Sequence, residues 1–323
     1  MVGRESVNRV ERVTPRIIPP ETIDRSAAIR LVAEIRPDLV IIRSKDAGHH
    51  QVVREARRCG ARAIYYDQMP YLRPKGYTSW RKDMKHVMRR LWQRYPLTGF
   101  TTTRGEGDVP RMFRHWLRVP MPVCPAAPGR GYVSGGVPTV LLVGRLANEK
   151  KRHFWVIDAL KASGHPFRLL VAGAGDDSHT APGKRSLEYY ERLTTTLTAP
   201  ENQDRMSLFE NLPHEQMSAL FQQADIFVLP SSHEMLGISV VEAMAHGCAV
   251  ITSTRTGAAG YITHGEDGLV FDVDDEIAFR RQLHSLLTDE AQVERLGQNA
   301  VRTIRDRHAP STFVLAIRQI AGL

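Results

Sequence analysis

The chain has 323 residues, of which 42% are hydrophobic and 24% are charged. This composition is typical of a globular protein, and it excludes a disordered, collagen-like or disulfide-rich chain. At roughly 100–200 residues per domain, the length indicates two domains. The sequence has no apolar run of membrane-spanning length and no secretory signal at its start, and Cys59, Cys124 and Cys248 lie far apart, which fits a reducing compartment. We therefore expect a cytoplasmic protein.

Charge is divided unequally along the chain. Residues 1–140 contain 26 Lys and Arg against 12 Asp and Glu, whereas residues 141–323 contain 18 against 23. A strongly basic half predicts an anionic partner, such as phospholipid headgroups or a phosphorylated glycan. The alternative is a charge excess that only keeps the protein in solution. We expect no nucleic-acid partner, because the sequence contains no recognised nucleic-acid module and no aromatic–basic repeat.

The first half alternates helical patterns with short apolar runs. The predicted helices cover 22–35, 49–58, 79–94 and 108–118, and the predicted strands cover 38–43, 61–66 and 98–103. Short strands that alternate with helices are typical of a parallel sheet covered on both faces. A segment rich in Pro and Gly, 121–138, is interpreted as a linker between an N-terminal domain, 1–130, and a C-terminal domain, 131–323.

The segment 79–96 has a basic amphipathic pattern. Its Trp, Met, Val, Leu and Tyr residues recur at helical spacing, and Lys and Arg occupy most of the other positions. Such a helix either lies on an anionic membrane surface or packs its apolar side on its own domain, with the basic side in solvent. The sequence leaves both interpretations open.

The second half shows the same alternation more clearly. The predicted strands cover 139–145, 167–173, 205–209, 226–230, 248–253 and 268–271, and the predicted helices cover 153–163, 186–197, 214–223, 238–246 and 275–287. A final helix is expected to pack back on the N-terminal domain. Two such α/β domains predict a cleft between the carboxyl ends of two sheets, where open-sheet proteins bind ligands.

The stretch 226–253 carries the pattern richest in chemistry. A buried strand ends at Pro230 and a helix begins near Gly237, so free amides and the positive end of a helix dipole are available to a pyrophosphate. Glu234 precedes this helix and Glu242 lies inside it, with seven residues between them. Carboxylates accept hydrogen bonds from vicinal hydroxyls, so a sugar and a ribose are natural partners. The alternative is a solvated acid followed by an acid that only complements the dipole.

Cations follow the first strand of the second half. The segment 144-GRLANEKKR-152 contains Arg145, Lys150, Lys151 and Arg152. Fixed cations at the carboxyl edge of a sheet can neutralise a diphosphate, whereas the alternative is a solvated basic loop. A second acidic segment, 272-DVD-274, is similar to a metal-binding motif of another transferase fold, but we interpret it as a solvated loop and expect no metal site.

Four segments, 144–150, 171–175, 224–251 and 265–271, stand in the order and spacing of a known family. On these motifs, residues 136–323 resemble the retaining, nucleotide-sugar-dependent glycosyltransferases of family four (glycosyl transferases group 1). The resemblance implies the α/β GT-B fold, with two Rossmann-like parallel-sheet domains facing a cleft and the N-terminal one abbreviated. It also implies sugar transfer with retention from a UDP- or GDP-linked donor, with no other cofactor. The implied acceptor is a glycan or lipid-linked acceptor in synthesis of an envelope polysaccharide, lipopolysaccharide or glycolipid.

The resemblance implies roles for individual residues. Glu234 is expected to contact the transferred sugar, and Arg145 and Lys150 are expected to clamp the diphosphate. Glu242 is expected to hold the ribose hydroxyls. The remaining donor-binding positions implied are Gly173, Asn211, Leu212, Met235, Leu236, Gly237 and Ile238, with the base near 211–212 and backbone amides of 236–238 on the sugar and phosphates.

The first half departs from the family pattern. The family begins with a strand and a glycine-rich loop, and nothing in 1–21 supplies them. A nucleotide-sugar-binding subunit of impaired activity that needs a partner is therefore one alternative function, and a sugar-nucleotide epimerase of the same fold is another. Where the family tends to have a histidine, this chain has Arg43. His49 and His50 follow it, and these three are the candidates for the acceptor side; surface or helix-cap histidines are the alternative for the last two.

Overall fold

The protein is described by a computed structural model covering residues 25–42, 49–66, 98–102, 115–123, 136–175 and 184–322. Within these ranges the residues up to 66, together with Thr98, form one compact unit, and the residues from Gly99 onward form a second. The division into 1–130 and 131–323 stays a prediction. Helix 79–94 of the sequence analysis, and with it the amphipathic segment 79–96, lies outside the described residues.

The first sheet contains β1 (Leu39–Ile42) and β2 (Arg62–Tyr66), which lie in the first unit with helices α1 (Arg25–Ile35) and α2 (His49–Arg58). Strands β3 (Thr98–Thr101) and β4 (His115–Arg118) are neighbours in a sheet where the second unit begins. Strands β1 and β2 are parallel, with Leu39 opposite Arg62. Val32 of α1 and Ala56 of α2 belong to one small buried cluster, so α1 and α2 share an apolar contact.

The helix predicted over 108–118 is wrong at its end. Residues His115–Arg118 form β4 instead, next to β3 in the sheet. The amide of Val119, just after β4, donates to the carbonyl of Thr101 at 2.8 Å. Pairing with a neighbouring strand decided the conformation here, because strand propensity depends mainly on the tertiary surroundings.

The second sheet has six strands in the order β10-β9-β8-β5-β6-β7. They are β5 (Thr139–Val143), β6 (Arg168–Gly173), β7 (Met206–Glu210), β8 (Ile226–Leu229), β9 (Ala249–Ser253) and β10 (Leu269–Phe271). Every neighbouring pair in this sheet is parallel. The six strands predicted for this half are therefore confirmed, and β5 stands at the switch point between β6 and β8.

Helices cover both faces of the second sheet. They are α3 (His153–Ala162), α4 (Lys184–Thr198), α5 (His214–Gln223), α6 (Ile238–Ala245), α7 (Glu276–Thr288), α8 (Glu290–Arg307) and α9 (Pro310–Ala321). Val140 and Leu142 of β5 pack with α3, α4 and α7, whereas Leu141 packs with α5 and α6. Burial on both faces explains the nearly continuous apolar strands. Helix α8 is not among the predicted elements.

Residues near the start of the second unit pack on its end. Phe100 of β3 lies edge-to-face with Phe313 of α9, with 6.1 Å between the ring centroids. The Tyr261 hydroxyl donates to the carbonyl of Thr102 and accepts from the amide of Met121. These contacts connect β3 and the segment after β4 to α9 and to the 3-10 segment Gly257–Tyr261.

Candidate functional site

The second sheet gathers four loops at one edge. Because β5, β6, β7 and β8 are parallel neighbours, the loops that follow them all leave from their carboxyl ends. These loops begin at Gly144, Ala174, Asn211 and Pro230. In open parallel sheets, the carboxyl edge at the switch point is where ligands bind. The predicted donor-site residues therefore share one edge of one sheet.

The start of α6 is shaped for close approach to an anion. Gly237, which precedes the helix, has a left-handed backbone with φ of 73°, and no side chain in the described part of the chain caps the helix. A methyl group at 237 would lie 2.7 Å from Cγ2 of Thr256. The amide of Ala258 donates to the carbonyl of Leu236 at 2.7 Å, which holds the turn in place. The first amides of α6 and its dipole are thus available to a phosphate.

Glu234 forms an ion pair with Lys151. Both side chains are mostly buried, with 23% and 14% of their surface exposed, respectively. The alkyl stem of Lys151 lies over Gly144, where a methyl group would be 2.9 Å from Cδ of the lysine. The absence of a side chain at 144 therefore makes room for the lysine. The structure brings together one cation and the first glutamate of the pair at the edge where β5 and β8 end.

The lysine that pairs with Glu234 is adjacent to Lys150, which the sequence interpretation selected for the diphosphate. Lys150 has an exposed side chain, and its carbonyl accepts a hydrogen bond from the amide of Ser232 at 2.8 Å. Arg145 is also exposed. Residues Glu149–Lys151 form a single 3-10 turn, in which successive side chains point about 120° apart, so only one of two adjacent lysines can face Glu234. The turn therefore explains why Lys151 and not Lys150 pairs with Glu234, and the contact of Lys150 with the diphosphate stays a prediction.

Arg152 is held away from Glu234. Its backbone is left-handed, with φ of 54°, which is uncommon outside glycine. Its guanidinium donates to the carbonyl of Val273, lies 3.5 Å from the carboxylate of Asp274, and sits 4.0 Å from the ring centroid of Trp155. Asp274 is thus paired with Arg152. Across the described ranges, no group of three or more His, Cys, Asp or Glu side chains is arranged to hold a metal.

Glu242 lies half-buried in the middle of α6. Burial raises the pKa of this carboxyl, and the nearby His214 and His246 act in the opposite direction. The ring of His246 stacks on Phe221 with 5.2 Å between centroids, and its Nδ1 lies 2.8 Å from the carbonyl oxygen of Glu242. The charged carboxylate is therefore held where its own solvation is poor.

Above pH 7, we expect Glu242→Gln to raise the thermal unfolding midpoint of the unliganded protein by about 1–2 °C. The raised pKa means that the folded state binds a proton more readily than the unfolded state, so the charged carboxylate costs stability at neutral pH. The gain should shrink as the pH falls through the folded pKa, because the wild-type carboxyl then becomes neutral. Thermal unfolding at pH 7.5 and pH 4.5 measures it. Glu201→Gln, at an exposed position, is the control, and an equal gain there would contradict the explanation.

The loops after β6 and β7 are joined by hydrogen bonds. The amide of Asn211 donates to the carbonyl of Gly173 at 3.0 Å, and its side-chain oxygen accepts from the amide of Gly175 at 3.1 Å. Asn211 has a left-handed backbone, and a methyl group at 173 would collide with the carbonyl of Gly144. Leu212 packs on the core. The glycine at 173 is thus explained by strand packing, and its contact with the donor stays a prediction, as do those of Asn211 and Leu212.

The remaining predicted positions differ in what they expose. Leu236 is buried, so its backbone alone is available to a ligand. Met235 is half-buried, and Ile238, the first residue of α6, is 38% exposed. In the first unit, His49 and His50 are the first two residues of α2, whereas Arg43 lies outside the described residues. The acceptor-side roles of these three stay predictions.

The fold and this edge of the second sheet define a Rossmann-like domain of the type that binds nucleotides. The family described as "Glycosyl transferases group 1" matches residues 132–303. The chain belongs to this family. The membership confirms the resemblance inferred from the sequence and accounts for the order of motifs between 144 and 271.

Two curated relatives illustrate the similarity. The chain is 29% identical over 163 residues to a 2-deoxystreptamine N-acetyl-D-glucosaminyltransferase of Niallia circulans, a match covering 50% of this chain and 39% of that protein. It is 26% identical over 190 residues to the lipopolysaccharide core biosynthesis mannosyltransferase LpcC of Rhizobium leguminosarum bv. viciae, covering 57% and 51%. The chain thus matches about half or less of the length of each of these relatives.

Solved structures share the fold across nearly the whole chain. A glycosyltransferase from Rickettsia africae superposes with a TM-score of 0.69 at 14% identity, covering 98% of this chain and 86% of that one. Anabaena HepE, solved in complex with UDP, gives 0.64 at 14% identity, covering 93% and 82%. The expected GT-B fold class is thereby confirmed. At this identity the likeness concerns the fold alone.

Proposed function

We propose that this chain is a retaining glycosyltransferase, which transfers a sugar from a nucleotide-sugar donor to an acceptor hydroxyl. The observation that carries the proposal is the ion pair of Glu234 with Lys151 at the edge where β5 and β8 end, beside the uncapped start of α6. A carboxylate for sugar hydroxyls, a cation and free amides for a diphosphate are the groups this reaction requires. The family membership supports the same reaction class.

The proposed mechanism places the diphosphate at the start of α6. The amides of Gly237 and Ile238 donate to its oxygens, and Lys151 and Arg145 balance the negative charge that grows as the bond to the sugar breaks. Such preorganised donors and cations stabilise a departing anion without rearrangement. Glu234 accepts hydrogen bonds from the sugar, and Glu242 accepts them from the ribose, so both ends of the donor are held.

The proposed transfer retains the anomeric configuration. The bond from the anomeric carbon to the phosphate oxygen breaks, and a bond from the same carbon to the acceptor oxygen forms on the same face. The acceptor hydroxyl gives its proton to the departing phosphate, so the charges and atoms balance with no cofactor besides the donor. Catalysis then comes from positioning and from stabilisation of the leaving group.

We propose a UDP- or GDP-linked donor and an acceptor in the cell envelope, handled at the cytoplasmic face of a membrane. Similarity to a lipopolysaccharide core mannosyltransferase and to a structure with bound UDP supports this choice, as does the basic first half of the chain. In the portion that the structure covers, no helix is long and apolar enough to cross a bilayer. Co-sedimentation with anionic vesicles but not with neutral ones tests the membrane contact.

The proposal predicts that one nucleotide stabilises the protein. We expect UDP or GDP, at about 100 times its Kd, to add about 2.7 kcal/mol to the free energy of unfolding and to raise the thermal midpoint by several degrees. The same titration includes ADP and CMP, and it is repeated on Glu242→Ala, in which the ribose contact is lost and the shift should nearly vanish.

Three outcomes of the titration differ in meaning. A shift with one nucleotide that Glu242→Ala removes supports the donor site and identifies the base. Binding without sugar transfer to any tested acceptor favours the alternative of a subunit that needs a partner. The absence of a shift with all four nucleotides contradicts the proposed function.

A further inference from the structure

A buried histidine, His153, follows the turn that carries Lys151 and contacts the half-buried Tyr189. His153 is fully buried, and the hydroxyl of Tyr189 on α4 contacts it twice. The hydroxyl oxygen lies 3.2 Å from the backbone nitrogen of His153 and 3.1 Å from its ring Nδ1. Neither group enters the proposed mechanism. Because His153 stands two residues after Lys151, the contacts that hold His153 bear on the position of the lysine.

One of the two contacts has a fixed direction. The backbone amide of His153 can only donate, so the hydroxyl oxygen of Tyr189 accepts from it. The contact with Nδ1 joins a hydroxyl and a ring nitrogen, each of which is able to donate or accept. Burial lowers the pKa of His153 to about 3 and raises that of Tyr189 to about 12, so both groups stay neutral at physiological pH.

The hydroxyl of Tyr189 acts as the side-chain cap at the start of α3. Arg152, the residue before α3, has a left-handed backbone and caps the helix with no side-chain hydrogen bond. The amide of His153, the first residue of α3, would otherwise lack an acceptor in a buried place, which is costly. The ring of Tyr189 is itself held edge-to-face by Phe154 with 5.4 Å between centroids.

The turn before α3 is held at other points as well. The amide of Lys150 donates to the side chain of Asn148, its carbonyl accepts from Ser232, and Arg152 is fastened to Val273. At the end of the turn, His153 is held by its contacts with Tyr189. Lys151 lies between the fastened positions, so the direction of its side chain depends on all of them.

We propose that Tyr189 is a positioning residue, which through the backbone and ring of His153 keeps the Lys151 ammonium beside Glu234 and the leaving diphosphate. The inference rests on the proposed function, because it concerns the same site. Tyr189 acts on the phosphate end of the donor only. Its loss should therefore distinguish ligands that reach Lys151 from ligands that do not.

We expect Tyr189→Phe to weaken binding of a nucleoside diphosphate by about 3- to 10-fold while it changes binding of the matching monophosphate by less than about 2-fold. Calorimetric titrations with UDP against UMP, and with GDP against GMP, measure the two affinities well below the unfolding midpoint. The phenyl ring retains the packing on Phe154, so the variant keeps its fold. Transfer, as kcat/KM for the donor, should fall in proportion to the loss of diphosphate affinity.

Two further variants separate positioning from a general structural effect. Tyr190→Phe removes the neighbouring hydroxyl of the same helix, which bonds Glu210, and the ratio of diphosphate to monophosphate affinity should stay at the wild-type value. In a Lys151→Met background, Tyr189→Phe should have no further effect on that ratio, because the lysine through which it acts is gone.

The outcomes are distinct. The positioning role is overturned if Tyr189→Phe lowers the thermal midpoint but leaves the ratio of diphosphate to monophosphate affinity unchanged. It is also overturned if Tyr189→Phe lowers this ratio as much in the Lys151→Met background as in the wild type. If the wild-type protein binds none of UDP, UMP, GDP and GMP, the proposed function fails. If the wild type prefers diphosphates and only the variant loses this preference, both are supported.

Discussion

Glu234→Gln and Lys151→Met are each expected to reduce sugar transfer by about 10²- to 10³-fold, the scale found when one preorganised hydrogen-bond donor is removed from a polar transition state. The glutamine cannot offer a charged acceptor to the sugar hydroxyls, and the methionine cannot balance the charge of the departing diphosphate. Because the two side chains form one ion pair, the double variant should be impaired little beyond the worse single variant.

The measurement is donor kcat/KM, with thermal unfolding as the check on folding. Lys150→Met is the matched comparison, since it removes the adjacent, exposed lysine that the sequence interpretation had selected. We expect its activity to stay within a few-fold of wild type. A severe loss in Lys150→Met together with a mild one in Lys151→Met would overturn the assignment of the phosphate-facing lysine. Full activity in Glu234→Gln would remove the glutamate from the mechanism.

Gly173→Ala is expected to cause the largest loss of stability, by more than about 4 kcal/mol, so that little folded protein is obtained. A methyl group there would overlap the carbonyl oxygen of Gly144, and both atoms belong to backbone that neighbouring strands hold rigidly. The amide of Gly144 donates to the carbonyl of Ala172 at 2.9 Å, so β5 and β6 cannot separate here without breaking the hydrogen bonds between them.

Gly164→Ala provides the control for Gly173→Ala. Gly164 has a positive φ of 71°, but a methyl group would meet nothing within 4 Å. Its cost should be limited to the backbone, about 1–2 kcal/mol. Yields in the soluble fraction and urea unfolding of both variants provide the comparison. A Gly173→Ala protein as stable as Gly164→Ala would show that the strands separate more easily than their hydrogen bonds indicate.

Sequence patterns were sufficient where burial alone determines structure. Strands such as β5 and β8 are buried on both faces, so they appear in the sequence as short apolar runs. The start of α6 could also be predicted from the sequence, because Gly237 separates a buried strand from a helix and the two glutamates flank it. The GT-B fold class was implied by the family resemblance that these motifs carry.

What could not be predicted depends on contacts between distant residues. The pairing of Glu234 with Lys151 instead of Lys150 requires the 3-10 turn and the space over Gly144, and the residues of the turn alone do not predict either of them. Strand β4 needed its partner β3, as Val119 shows by donating to Thr101. The left-handed backbone of Arg152 is offset by contacts with Val273 and Asp274, more than 100 positions away.

Gly144 constrains two other positions, one through its missing side chain and one through its backbone carbonyl, and this limits how the protein can be re-engineered. Its bare α-carbon admits the stem of Lys151, while its carbonyl confines position 173 to glycine. A library aimed at new donor sugars should therefore keep both glycines constant and vary Met235, where neither constraint applies. A loop grafted after β5 that begins with a larger residue would displace the stem of Lys151 from its place over position 144.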